Sequence, residues 1–380
     1  MANNNNSSLN RARQVKNDEF YTVLEDIEKE LNKYLDINPN IFRGKTVLLP
    51  CDDYEHSNFT NYFKNNFKKL GLVELISTCY SSTGNGKIEV ISKGQTNRGV
   101  LKGNGDFKSE EVTKLKESAD IIITNPPFSL FRSFMEWANP REKKICIIGN
   151  INALTHKEVF PYLRDYTVTV GITHPTKFIT SDGVIQKFGN TRWYQNLVNI
   201  ERPFIELNKE FNAEDYPVYD NYAAVNVNKV KDIPKDYNGL MGVPITFLER
   251  CNPKQFKLIG ATTSADESPE MQVVKTSETD RHGPKINGKE IYRRIIIKPL
   301  WVEEDAKGHV FKTLQKYSCE FTPNEELCYI GYSNSARDLV VLDSDGTKGN
   351  HIYFINEETL LKAVEEAGEA NIKKYIFGVD

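Results

Sequence analysis

Residues 119–128 read ADIIITNPPF: a β-branched apolar run of strand length ends at Asn-Pro-Pro, and an aromatic residue follows. Proline fixes its own φ and has no backbone N–H, so two in succession end the strand and keep the chain stiff. We therefore predict a rigid platform of carbonyl oxygens, with the side-chain amide of Asn125 at one end and the ring of Phe128 at the other. Such a platform can bind a planar molecule that carries an amino group. The alternative is a Pro-Pro turn that only closes a buried strand.

Around this stretch, strands alternate with helices from residue 46 to residue 200, which predicts an α/β fold with a doubly wound, mostly parallel sheet. Sheets of this kind bind ligands in the loops that follow the carboxyl ends of their strands. The platform is therefore predicted to lie on a ligand-binding edge. Strands are predicted at residues 46–50, 72–79, 88–91, 121–124, 144–149, 168–172 and 192–198.

The loop after the first of these strands reads CDDYEHSNF (residues 51–59) and contains no glycine. Glycine-rich loops hold cofactors because their backbone can approach the ligand closely. A loop without glycine must use side chains instead. Asp52 and Asp53 are the candidate ligand-binding side chains of this loop, since a carboxylate can pair with an ammonium group of a cofactor.

Several motifs occur in an order that resembles the EcoRI-type DNA adenine methyltransferase family. The resemblance covers roughly residues 10 to 300 and fades over the last eighty or so residues. It is specific because the Cys-Asp-Asp element and the Asn-Pro-Pro-Phe element occur together. The motifs are DEFYT (18–22), CDD (51–53), SNF (57–59), GDF (105–107), NPPF (125–128), GNTRW (189–193) and GVPITFL (242–248).

The resemblance implies a seven-stranded methyltransferase sheet, followed by a C-terminal target-recognition region, and S-adenosylmethionine as the cofactor. The FYT segment would pack on the methionine part, and the GDF segment would bind the adenine. Many relatives have an acid for the ribose hydroxyls where Thr78 and Cys79 stand here, so the ribose contact is unassigned. The implied cofactor-binding residues are Phe20, Tyr21, Thr22, Asp52, Asp53, Asp106 and Phe107.

The resemblance also implies a site-specific DNA methyltransferase that modifies the exocyclic amino nitrogen (N6) of a flipped-out adenine in duplex DNA. Phe128 would stack on the base, and Asn125 and the Pro126 carbonyl would bind its amine on a platform completed by Pro127. No metal is implied. Two alternatives stay open. One is a methyltransferase acting on an RNA base or a protein glutamine, and the other is a catalytically silent DNA-binding or decoy protein, which the missing glycine loop would suit.

A basic stretch over residues 281–298 carries six cations against Glu290 alone, a net charge of +5. Apolar residues are interleaved, which predicts a β-hairpin with one basic face for contact with DNA phosphates or base edges. A merely solvated face is the alternative. The last predicted strand adds Trp193 and Tyr194, which could line a base pocket or belong to the sheet core. The predicted DNA contacts are Arg281, Lys285, Lys289, Arg293, Arg294 and Trp193.

The charge is unevenly distributed along the 380 residues. Residues 301–380 hold 15 acidic and 8 basic residues, a net charge of −7. Since the whole chain carries −3, residues 1–300 carry +4. A mildly basic body removes the objection that an acidic protein would avoid DNA.

Composition indicates an ordinary globular protein, with 39% hydrophobic and 27% charged residues. No apolar run reaches the roughly 20 residues of a membrane span, and six scattered cysteines fit free thiols, so we expect a cytoplasmic protein. It could act beside a cognate restriction endonuclease without binding it. The predicted divisions are a flexible arm (1–16), a catalytic domain (17–203), a target-recognition region (204–300) and an acidic α+β extension (301–380).

Overall fold

The computed structural model describes residues 20–180, 183–263, 266, 268–276, 283–323 and 325–379. The predicted arm over residues 1–16 and the predicted DNA contact Arg281 lie outside the described residues. The chain divides into two compact units, residues 1–298 and residues 299–380.

An eight-stranded sheet dominates the first unit. The first eleven strands of the chain are β1 (Phe20–Thr22), β2 (Thr46–Leu49), β3 (Glu74–Cys79), β4 (Lys87–Ser92), β5 (Gln95–Val100), β6 (Ile121–Thr124), β7 (Lys144–Asn150), β8 (Thr169–Val170), β9 (Lys177–Thr180), β10 (Ile185–Lys187) and β11 (Thr191–Gln195). Eight of them form the large sheet in the order β5-β4-β3-β2-β6-β7-β11-β8. The central strands β3, β2, β6 and β7 are parallel neighbours, so the loops that follow them meet at one edge.

The sheet is mixed, and the expectation of seven mostly parallel strands is wrong in both respects. Four of its seven neighbouring pairs are antiparallel, because β4 and β5 form a hairpin on one side and β11 inserts between β7 and β8 on the other. Strand β5 is exposed along its whole length and has no apolar alternation. Its turn is Lys93-Gly94, in which both residues have positive φ angles of 50° and 78°. This is the pattern of a tight hairpin turn.

Helices cover both faces of the sheet, as a doubly wound arrangement requires. Side chains alternate along a strand, so Val47 and Leu49 enter a large core with α1 and α2, while Leu48 faces the opposite side. There it packs with Leu115 of α3 and Trp137 of α4. These helices are α1 (Leu24–Ile37), α2 (Asn58–Leu70), α3 (Glu110–Ser118) and α4 (Phe131–Ala138).

The first strand, β1, joins a separate three-stranded antiparallel sheet with β9 and β10. Phe20 pairs with Thr180, and Thr22 pairs with Phe178. This pairing connects the start of the described chain to a hairpin about 160 residues later and brings the FYT segment to the edge of the large sheet.

Short strands form a second sheet in the rest of the first unit, in the order β12-β13-β17-β14. Its central strand β17 buries Ile295, Ile296 and Ile297 completely. The elements are α5 (Phe160–Arg164), β12 (Val225–Asn226), β13 (Met241–Pro244), β14 (Phe256–Ala261), α6 (Pro269–Val274), β15 (Lys285–Ile286), β16 (Lys289–Glu290) and β17 (Arg294–Pro299).

The second unit has its own small core beneath a three-stranded antiparallel sheet. Val310, Leu314, Phe354 and Leu360 are among its fully buried residues. The sequence pattern did not predict the long helix that begins at Trp301. The elements are α7 (Trp301–Tyr317), β18 (Cys328–Ser333), β19 (Asp338–Asp343), β20 (Tyr353–Phe354), α8 (Glu357–Ala367) and α9 (Glu369–Phe377). Within the described residues of both units, no helix combines the length and apolar character needed to cross a membrane.

Candidate active site

A cleft of about 300 Å³ lies at the edge of the large sheet where β2, β3 and β6 end. Because these three strands are parallel neighbours, the residues directly after them are brought together even though they are distant in sequence. The cleft is lined by residues 20–22, 50–53, 79–80 and 105–107, together with Asn125, Pro127 and Leu130.

Most of the residues singled out in the sequence line this one cleft. All seven candidate cofactor-binding residues are there, and so are Asn125 and Pro127 of the platform. Pro126 is buried, and Phe128 lies outside the cleft lining. The FYT, Cys-Asp-Asp and Gly-Asp-Phe motifs therefore share a site, although up to 87 residues separate them.

Asn125 lines the cleft and has an unused hydrogen-bond acceptor. Its Nδ2 donates a hydrogen bond to the Phe20 carbonyl at 2.6 Å, which orients the amide. Its Oδ1 is buried and has no hydrogen-bond partner among the described residues. A buried acceptor without a partner typically costs about 1–3 kcal/mol, so such atoms are rare and often functional. The geometry suits an incoming N–H donor.

Asp52 is a buried carboxylate at the base of the cleft, 4% exposed. It accepts hydrogen bonds from Ser57 Oγ and Thr124 Oγ1, both at 2.6 Å. Burial raises the pKa of Asp52 to about 6, although the two hydroxyls act in the opposite direction. The carboxylate is the group in this region that gains most from a cationic ligand.

Asp53 already has a cationic partner. Lys87 Nζ lies 3.4 Å from its carboxylate and 2.7 Å from that of Glu55. Asp53 also accepts the backbone N–H of Glu55 at 2.7 Å and the thiol of Cys79 at 3.6 Å. Asp53, Glu55 and His56 could each offer one metal ligand within 4.8 Å of the others, but Lys87 pairs with two of them.

The glycine-free loop is thus shaped by side chains from several elements. In addition to these bonds, Asn58 donates to the Thr22 carbonyl at 2.9 Å, which links the loop to β1. The ring of Tyr54 lies within 5.0–5.9 Å of the cationic groups of Lys64, Lys87 and Arg98. Cation–π contacts of this kind hold the half-buried ring of Tyr54 in one position.

Close backbone packing brings the Gly-Asp-Phe motif to the cleft. Gly105 has a φ of +80°, and a Cβ there would lie 2.3 Å from the Cys79 carbonyl oxygen. No other residue fits without moving the backbone. Asp106 is exposed and accepts the backbone N–H of Lys108 at 2.9 Å, which leaves carboxylate surface on the cleft side. Phe107 packs edge-on against Phe134 and contributes part of the wall.

Phe128 belongs to a cluster of four phenylalanines. Its ring is stacked with that of Phe20 at 6.2 Å and an interplanar angle of 25°, and it meets Phe178 and Phe188 edge-on. The ring is only partly buried. A base that stacks on Phe128 must use the surface that these neighbours leave exposed.

The sequence did not identify residues that could bind the ribose of a cofactor. Cys79 and Tyr80 line the cleft. Burial raises the pKa of the Cys79 thiol to about 11, so the thiol is neutral, and its one S–H already donates to Asp53. Tyr80 is 45% exposed. In the sequence, only the position of these residues indicated a role: Cys79 ends β3, the strand that neighbours β2, and Tyr80 follows it.

The prediction that Trp193 contacts DNA is wrong. Strand β11 is covered on both faces, and Trp193 is 0% exposed, with its ring against that of Phe59 at 6.0 Å. Tyr194 is also fully buried, in accordance with the alternative that residues of this strand belong to the sheet core.

The basic stretch is only in part a hairpin. Lys285 and Lys289 lie on β15 and β16, which are joined by Asn287-Gly288, both with positive φ. Arg293 follows the hairpin and is exposed. Arg294 is half-buried at the start of β17, where it donates to Asn226 Oδ1 at 3.2 Å and to the Tyr292 carbonyl at 3.0 Å. Arg294 is therefore already engaged within the fold.

The cleft lies beside the Asn-Pro-Pro-Phe platform on one edge of an α/β sheet, an arrangement that fits a methyltransferase. A family model described as "Adenine-specific methyltransferase EcoRI" matches residues 8–100 and 88–299. The chain belongs to this EcoRI-type DNA adenine methyltransferase family.

Comparison with individual proteins supports the same family assignment. The chain is 37% identical over 333 residues to the Type II methyltransferase M.EcoRI of Escherichia coli, covering 77% of this chain and 96% of the relative. It is 34% identical over 316 residues to the Type II methyltransferases M.MgeORF184P of Mycoplasma genitalium (76% and 98% covered) and M.MpnI of Mycoplasma pneumoniae (76% and 97%). No solved structure matches the chain. The prediction of a site-specific DNA methyltransferase is confirmed.

Proposed function

We propose that this protein transfers a methyl group from S-adenosylmethionine to the N6 amino nitrogen of adenine in duplex DNA. The observation that carries the proposal is the buried, unpartnered Oδ1 of Asn125 at the cleft. An exocyclic amine would supply the missing N–H donor. The family description names adenine specificity, which supports this choice of base.

The cleft residues suit the proposed cofactor. Asp52 would pair with its ammonium group, because a buried carboxylate with no cationic partner of its own gains most from one. Asp106 would accept from the adenine amine, Phe107 would form a wall of the adenine slot, and Cys79 and Tyr80 lie where the ribose is expected. When bound, the cofactor supplies a methyl group on a positively charged sulfur.

Catalysis in this proposal is mainly positioning. Asn125 Oδ1 and the Pro126 carbonyl would each accept one N–H of the amine, which localises the nitrogen lone pair that ring conjugation otherwise spreads out. The amine nitrogen held by these two acceptors would take the methyl group that the cofactor supplies when bound, and its proton would pass to solvent. The base would be flipped out of the duplex for a few kcal/mol and would stack on Phe128. Lys285, Lys289 and Arg293 are the proposed contacts to the DNA backbone.

The test is incubation of the purified protein with labelled S-adenosylmethionine and plasmid DNA, followed by mapping of modified adenines. We expect label at adenines of one short sequence and none in RNA or protein acceptors. The matched control is Asn125→Ala, which should bind the cofactor without transferring label. Cofactor binding without transfer by the wild type would instead favour the silent DNA-binding alternative. Such a protein is expected to act in the cytoplasm, beside a cognate endonuclease where one exists.

A further inference from the structure

A cluster of cations lies beside the Asn-Pro-Pro-Phe platform, and Arg293 is its only member with a role in the function proposed above. Arg132 lies in the first turn of α4, the helix that follows the platform. His156 and Lys157 follow the short helical turn that continues from β7. Arg293 comes from the segment between the basic hairpin and β17. Three distant parts of the chain thus contribute positive charge to one region, in which Arg132 and Arg293 both act on His156.

Hydrogen bonds hold Arg293 in this region. The Tyr292 hydroxyl donates to Asn152 Oδ1, and Arg293 Nη1 donates to Thr155 Oγ1 at 3.3 Å. The turn that carries both acceptors is itself fixed, because Asn150 Oδ1 caps it by accepting the backbone N–H of Asn152 at 2.9 Å. Since this turn follows the carboxyl end of β7, the neighbour of β6, Arg293 is positioned at the same edge of the sheet as Asn125.

Arg132 and Arg293 can each bind an anion. Both are exposed, and neither forms an ion pair with a carboxylate among the described residues. Burial, followed by the charges of Arg132 and Arg293, lowers the pKa of His156, while Glu158 opposes this. Its Nδ1 is buried without a hydrogen-bond partner in the described part of the chain. Two free cations around a neutral polar side chain suit a ligand with dense negative charge and several oxygen acceptors.

We propose that Arg132 and Arg293 form a phosphate clamp on the DNA strand that carries the target adenine, next to the Asn-Pro-Pro-Phe platform. The proposal rests on the proposed function, since it assumes that duplex DNA is the substrate. A flipped nucleotide rotates about its own backbone, so the phosphates beside it need to be held while the base enters the cleft. Arg132 starts the helix directly after the platform and is suited to that position.

Two other arginines show why these two are distinctive. Arg294 is adjacent to Arg293 in sequence but donates to groups within the fold. Arg141 is exposed, yet it is paired with Asp165 and lies over the ring of Tyr162. Arg141→Gln is therefore a matched control that removes an exposed arginine without removing the clamp.

The experiment compares wild type, Arg132→Gln, Arg293→Gln, the double variant and Arg141→Gln, all as the full chain. Binding to a duplex that contains a mapped target adenine is measured over a series of salt concentrations. Each clamp substitution should lower the slope of log K against log salt by about 1, and the double variant by about 2, because each arginine releases one phosphate counterion. Arg141→Gln should keep the wild-type slope. Cofactor affinity should not change in any variant, and Arg132→Lys should restore the slope.

A second readout locates the clamp. With 2-aminopurine in place of the target adenine, wild type should give the fluorescence increase of an unstacked base, and the double variant should lose most of it. A double variant with an unchanged salt slope would show that the two arginines are only a solvated surface. A lower slope with full fluorescence would place the phosphates away from the flipped nucleotide and overturn the proposal. A wild type that binds cofactor but never DNA would overturn the proposed function itself.

Discussion

The loops after β2 and after β6 lie side by side at one edge of the sheet, yet they are shaped by different means. Residues 51–57 contain no glycine or proline and take their shape from side-chain bonds to other elements. Residues 125–128 take theirs from two prolines, with a single side-chain bond from Asn125 to the Phe20 carbonyl. The first loop is expected to respond to substitutions of its partners, whereas the second should keep its shape when its one functional side chain is removed.

The difference suits the two proposed tasks. A cofactor must bind and leave in every cycle, and a loop built from carboxylates can respond to the ligand's charge. In the proposed reaction the amine of the target base needs accurate positioning, which favours a platform made rigid by proline rings. Substitutions in the loop after β2 should therefore change cofactor affinity, whereas substitutions in residues 125–128 should change the rate of methyl transfer.

The largest expected effect is that of Asn125→Ala. The prolines preserve the platform, so the loss is the hydrogen bond to the amine in the transition state, and turnover should fall by about 10²–10³-fold. Cofactor affinity should remain within about threefold, which calorimetry can measure alongside single-turnover transfer. A variant that keeps a tenth of wild-type turnover would contradict the assigned role.

Asp52→Ala should reduce both cofactor affinity and stability. The substitution leaves the hydroxyls of Ser57 and Thr124 buried without their acceptor, which typically costs about 1–3 kcal/mol in the free energy of unfolding. Cofactor affinity should fall at least tenfold, because Asp53, the other aspartate of this loop, is already paired with Lys87. Asp53→Ala is the comparison. If Asp53→Ala weakens binding more than Asp52→Ala, the ammonium group is held by Asp53 instead.

Cofactor affinity should depend on pH through Asp52. Burial raises its pKa from 3.8 to about 6 in the free protein, so the contribution of this group to folding stability is present below about pH 4 and is lost as pH rises through 6. Binding of an ammonium group has the opposite sign, since it needs the carboxylate. Affinity should therefore increase about tenfold per pH unit up to about 6 and then level off. Titration calorimetry between pH 5 and 7 tests this, and Asp52→Asn should abolish the dependence.

Lys87→Met tests how far the loop after β2 depends on an exposed ion-pair partner. Glu55 and Asp53 raise the pKa of Lys87, so the lysine is charged at all working pH values. The lysine side chain is 40% exposed, and exposed ion pairs contribute about 0–1 kcal/mol. We expect a small decrease in melting temperature and a change in cofactor affinity of less than about fivefold. A loss as large as that of Asp52→Ala would show that Lys87, and not the buried bonds, sets the shape of the loop.

The smallest effect is expected from removing the second unit. All cleft-lining residues precede residue 131, and the matched relatives correspond to about three quarters of this chain, with the family match ending at residue 299. A protein truncated after residue 300 should keep both loops and methylate DNA within about threefold of the full chain. Circular dichroism must first establish that it is folded. A folded truncate that binds cofactor but cannot modify DNA would assign the second unit to DNA recognition.

Local features of the site could be predicted from the sequence because each depends on adjacent residues. The two prolines after Ile121–Thr124 make the platform rigid regardless of the rest of the fold. In the same way, the absence of glycine after β2 was enough to single out the two aspartates of that loop as candidate ligand-binding residues. The parallel arrangement of the central strands then brings these segments to one edge, as alternation of strands and helices predicts.

The errors come from features that depend on distant partners. Strand β5 has no apolar pattern to detect, because it pairs through its backbone and stays exposed on the outside of the sheet. Trp193 was predicted to contact DNA because it could line a pocket for a base, but β8 pairs beyond β11 and Trp193 is fully buried. The partnership of Asp53 with Lys87, 34 residues later, has no signature in either local segment.

The pairing of β1 with β9 also has a consequence for the order in which the protein is made. One wall of the cleft is the FYT strand near the start of the chain, and its neighbour in the small sheet is not synthesised until about residue 180. During translation the early strand has no edge to join, and the Phe20 carbonyl that orients Asn125 has no fixed position. A nascent chain therefore exposes the Asn-Pro-Pro-Phe sequence long before it has a cleft. Competence to bind cofactor should arise abruptly, when the β9–β10 hairpin leaves the ribosome.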